Sequence, residues 1–81
     1  MTAAVQIKPF DVRGAIEAEY IAYNAFHNCV RAQHYPDDPP VPLVEEMARC
    51  RNMPAMFVTE AWAAWHDAAI VAYGRVSFRQ A

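Results

Sequence analysis

Ile70-Val71-Ala72-Tyr73-Gly74-Arg75-Val76-Ser77-Phe78-Arg79 is the stretch on which the fold turns. Ile70, Ala72, Gly74, Val76 and Phe78 fall on one side of an extended chain. Val71, Tyr73, Arg75, Ser77 and Arg79 fall on the other. A period of two marks a strand, because successive side chains leave opposite faces of a sheet. Upstream, Phe57 to Trp65 is rich in aromatic and apolar groups, interrupted by Thr59 and Glu60, and also reads as a strand. His66-Asp67-Ala68-Ala69 between the two predicts a reversal and hence a hairpin, without the glycine that tight turns favour.

Working outward, Val5 to Lys8 alternates apolar and polar, as a short half-buried strand does. Pro9 has no N–H for a ladder bond, so this strand ends there or lies at a sheet edge. Asp11 predicts the cap of a helix from Val12 to Gln33. On that helix Glu17, Asn24, Asn28 and Arg31 form a narrow polar stripe. Ile16, Ala18, Tyr20, Ala22, Tyr23, Phe26, Cys29 and Val30 spread over most of the remaining circumference, a width that predicts contact with both a sheet and a second helix.

Between His34 and Pro42, four prolines in seven residues break the helix and predict a stiff extended connector. A second helix is expected from Pro42 or Leu43 to Asn52. Glu45 and Glu46 near its start and Arg49 and Arg51 near its end suit the helix dipole. Leu43, Val44, Met47 and Cys50 share one face, and Pro54 ends the helix. The expected order is β-α-α-β-β, an α+β unit spanning residues 1–81 as one domain.

At 81 residues the chain has room for one domain at most, with a thin stability margin. Sixteen of its hydrophobic residues are alanine, and Leu43 is the only leucine. The net charge of −2, without a block of either sign, offers no basic face for phosphates, so nucleic acid is not an expected partner. No stretch approaches the roughly 20 apolar residues that span a bilayer, and no basic segment precedes an apolar run at the N-terminus. A cytoplasmic protein without a membrane partner is the expectation. Cys29 and Cys50 read as reduced thiols packed as small hydrophobes.

Ile7-Lys8-Pro9-Phe10-Asp11, the helix ending near Arg31, and Pro36-Asp37-Asp38-Pro39-Pro40-Val41-Pro42-Leu43-Val44-Glu45-Glu46 together resemble the N-terminal half of the GNAT acetyltransferases. Trp62-Ala63-Ala64-Trp65-His66-Asp67 leading into Ile70-Val71-Ala72-Tyr73-Gly74-Arg75 resembles that family's hairpin between its second and third strands. The chain departs from the family at Ala68, where glycine often follows the turn aspartate, and at Val71-Ala72-Tyr73, where Val-Gly-Tyr is favoured. The resemblance implies acetyl transfer from acetyl-CoA to an amine in a complete protein. It also implies that this stretch lacks the cofactor half. The family's Arg/Gln-x-x-Gly-x-Gly/Ala turn has no counterpart here, where Gly14 and Gly74 are the only glycines. No cofactor is therefore expected to bind this segment, and the chain alone is expected to be inactive, as a truncated acetyltransferase would be. A chain ending on its best strand also predicts an open edge, through which it could pair with a partner or with itself.

By the same resemblance the connector lines the acceptor side, which places Tyr35, Asp37 and Asp38 near an incoming amine. The alternative open at this point is that both aspartates cap or solvate a proline-fixed turn. His27 and His34, seven apart, could point the same way from one helix, but Cys29 lies well round it from His27. No Cys-x-x-Cys or His-x-x-x-His spacing supports a metal. Nothing in the sequence assigns a role to His66, or a nucleophile–base pair to any cysteine and histidine. Glu45 and Glu46 read as dipole partners rather than an acid–base pair, and Trp62 and Trp65 as core. Arg75 and Arg79 share a strand face, where they discourage strand addition or contact an anion.

Overall fold

The computed structural model describes residues 4–80. Its elements are β1 (Gln6–Pro9), α1 (Glu17–His34), α2 (Leu43–Arg51), β2 (Phe57–His66) and β3 (Ala69–Arg79). The three strands form one antiparallel sheet in the order β1-β2-β3; α1 packs against β3, and α2 packs against α1, its inner side chains reaching the same core. The α+β class and the order of elements agree with the sequence reading. Pro9 closes β1 at a sheet edge, where its missing donor costs nothing.

The first helix starts five residues later than the sequence suggested. Asp11 caps a local turn instead, its Oδ1 accepting the Gly14 N–H at 3.0 Å. A Cβ on Gly14 would come within 2.7 Å of that carboxylate, so a larger residue there would make the Asp11 side chain shift. α1 then begins at the Ile16 cap, whose N–H donates to Glu19 Oε1 at 3.2 Å. Arg13 in the same turn reaches the carbonyls of Met53, Pro54 and Phe57, covering the edge of β2 beyond the short reach of β1.

β2 presents Ala61, Ala63 and Trp65 to the helices, all buried. The small alanines leave space for a ring cluster of Phe10, Tyr20, Tyr23 and Tyr73, with centroid separations from 4.9 to 6.2 Å. Such ring pairs contribute about 0.5–1.5 kcal/mol each beyond their buried area. Tyr20 is fully buried, and its hydroxyl donates to Val12 O at 2.8 Å. The alanine-rich composition is thus what lets a few aromatic rings make the core.

The hairpin turns through Asp67 and Ala68, with Asp67 at φ 54. Aspartate tolerates that left-handed region better than most residues, which explains a tight turn without glycine. β3 does not keep the simple alternation expected from its sequence. Trp65 pairs with Ile70 and Ala64 with Ala72, leaving Val71 as the extra residue of a β-bulge. Beyond it the faces exchange: Tyr73, Arg75 and Ser77 join Ile70 on the helix side. Ala72, Gly74, Val76 and Phe78, which would share Ile70's side in a regular strand, point away from the helices. With Ile7 and Trp62 they make a sheet face that no described element covers. Val44 is a second correction. It is 80% exposed, while Glu46 on the same helix is turned toward α1 and buried.

Candidate functional site

α1 places Tyr23 and His27 one turn apart on the same face. α2 presents Glu46, Arg49 and Cys50 at helical spacing, with Met53 following, and the post-bulge face of β3 adds Arg75. These seven residues line a pocket of about 290 Å³. At its base Glu46, only 3% exposed, accepts a hydrogen bond from His27 Nδ1 at 2.6 Å. Asn24 Nδ2 donates to the same carboxylate oxygen at 3.4 Å. Tyr23 stacks beside the imidazole at a centroid distance of 5.8 Å.

The chemistry follows from those contacts. With Nδ1 donating to Glu46, the imidazole keeps Nε2 as an acceptor, and the carboxylate fixes the ring's orientation. Burial, reinforced by Tyr73 and Glu46, pushes the Tyr23 hydroxyl far above its ordinary range, so it stays a neutral donor. Burial followed by the Glu46 charge raises the Cys50 thiol against a smaller opposing effect of Arg75. Cys50 is therefore a poor nucleophile, as a protonated buried thiol must be. The pocket combines one imidazole, oriented by Glu46, with guanidinium groups on its walls.

Tyr35, Asp37 and Asp38 lie elsewhere. Tyr35 caps the C-terminus of α1 and is 60% exposed. Its N–H donates to Arg31 O at 2.6 Å, and its carbonyl accepts the Asp38 N–H at 3.1 Å. Asp38 Oδ2 sits 3.8 Å from Arg31 Nη2, and Asp37 is exposed. These contacts hold a turn, and none of the three residues lines the pocket. His34 is exposed at the end of α1, and His66 stands 3.8 Å from Asp67 in the hairpin. Among the described residues no group of three or more His, Cys, Asp and Glu side chains is placed to hold a metal ion.

Sequence reasoning missed the His27–Glu46 pair. One signal was available: Glu46 lies four residues before Cys50 and shares its buried face. Neither helix start fits the pyrophosphate of a CoA thioester. α1 carries Glu17 and Glu19 in its first turn, and Glu19 already occupies the Ile16 N–H. α2 starts after Pro42 with Glu45 and Glu46 in its first turn. Carboxylates at these ends repel a polyphosphate where backbone donors would otherwise attract it.

No helix among the described residues is long and apolar enough to cross a membrane. Searches against protein-family profiles, curated proteins and solved structures find no match to this chain.

Proposed function

We propose that this chain is the acceptor-side half of a GNAT-type N-acetyltransferase domain. In that reading an amine, freed of its proton, attacks the thioester of acetyl-CoA held by residues outside this stretch. The observation that carries it is the outer edge of β3, which no strand among the described residues pairs. At its start that edge borders an apolar groove of about 680 Å³, lined by Ala18, Ile21, Phe26 and Cys29 of α1 and by Ile70 and Val71. A further strand hydrogen-bonded to β3 would set alternate side chains into that groove. The resemblance of the β-α-α-β-β order and its local sequences to the first half of the family supports the same reading.

Reading the coding DNA past the Ala81 codon tests it. The expected result is an open frame encoding a strand and then an Arg/Gln-x-x-Gly-x-Gly/Ala turn. A stop codon at that point overturns it. The 81-residue chain alone should release no CoA from acetyl-CoA in the presence of amines. CoA is best followed by chromatography, because the exposed Cys29 would itself react with a thiol dye.

A second reading rests on the uncovered sheet face with Ile7, Trp62, Val76 and Phe78, all exposed. A stand-alone module would use this surface and the β3 edge to pair with a partner or with itself. Sedimentation velocity separates the two: one sharp dimer boundary supports the module, and a broad distribution supports the half-domain.

A further inference from the structure

We propose that the pocket between α1, α2 and β3 binds a small amine that also carries a carboxylate. Arg75 takes the carboxylate, and His27, backed by Glu46, takes the amine. The charge census of the pocket points to this ligand. From α1 come His27 and the neutral Tyr23 hydroxyl; from α2, Glu46, Arg49 and the protonated Cys50; from β3, Arg75. Glu46 is engaged by His27 at 2.6 Å, and Arg49 is drawn outward to Glu45 at 2.6 Å. Arg75 pairs with no carboxylate among the described residues. A guanidinium presents a planar fork of donors that matches a carboxylate in two parallel hydrogen bonds.

The imidazole offers the complementary function. An ammonium group at His27 can donate a hydrogen bond to Nε2. Glu46, 2.6 Å behind the ring, holds the imidazole in the orientation that offers this acceptor. A volume of about 290 Å³ lies at the small end of ligand pockets, which selects a metabolite-sized molecule over a peptide. The inference rests on the acceptor-side reading only for the later fate of the amine. Binding is measured without acetyl-CoA, so its failure leaves the coding-DNA result to decide the half-domain question separately.

Norvaline and 5-aminopentanoate are isomers that share butylamine and pentanoate as their one-headed counterparts. The experiment titrates each of the four into the isotope-labelled full chain, following the Arg75 side-chain and His27 ring signals by NMR. At least one isomer should bind about tenfold tighter than either one-headed probe, with a dissociation constant of about 1 mM or below. R75Q should abolish the preference for that isomer over butylamine, and H27Q its preference over pentanoate, with both backbone spectra retained. If R75Q loses its native spectrum, Arg75→Lys replaces it and should lower the preference severalfold by removing the fork. Three results overturn the proposal: butylamine or pentanoate binding as well as both isomers, discrimination unchanged in the Arg75 variant, or no probe moving either signal.

Discussion

At the scale of single residues, Glu46 shows how much a buried carboxylate depends on its partners. It has an imidazole at 2.6 Å and an amide at 3.4 Å, and water scarcely reaches it. Glu46→Ala removes the acceptor of two donors and opens space below the pocket, so it should cost about 2–3 kcal/mol in urea unfolding. Glu46→Gln keeps the shape and an acceptor oxygen and should cost distinctly less. Equal costs would mean that shape alone matters at this position. The pair was not legible in the sequence because its members stand on different helices, 19 positions apart. An acid in a helix's first turn already has a sufficient local explanation in the dipole. Local sufficiency hid the tertiary role.

At the scale of elements, the polar stripe on α1 was visible, but its direction was not. Asn28 Oδ1 accepts the Val41 N–H at 2.8 Å, and its Nδ2 donates to Val41 O at 3.0 Å. Asn24 donates to the same carbonyl at 3.0 Å. The stripe therefore fastens the proline-rich connector rather than facing water. Asn28→Ala leaves the N–H of the buried Val41 without its acceptor and should cost about 1–3 kcal/mol. It should also make the connector the first site of cleavage in limited proteolysis. Unchanged cleavage would show that the prolines alone hold the segment. The limits of α2 and of the hairpin were legible because Pro42, Pro54 and Asp67 act locally. The start of α1 was not, since Asp11 serves equally well in a turn or as a helix cap.

At the scale of the whole molecule, one sheet face is packed by helices and the other is left bare by the described residues. Val76 and Phe78 on the bare face are each more than half exposed. Replacing both with lysine should leave the unfolding free energy within about 1 kcal/mol, since exposed substitutions have small effects. The same double variant should sediment with less association than the parent. A large loss of stability would place those side chains in the core after all. The strand alternation was readable, but which set faces inward depended on one unpaired residue that no periodicity announces. That residue, Val71, also determines where the chain can change length. Removing it would join Ile70 to Ala72 in regular register and leave every later side chain on its present side. Removing any residue from Tyr73 to Ser77 would instead send the remainder of the strand to the opposite side. For this hairpin, deletion tolerance is confined to the bulge.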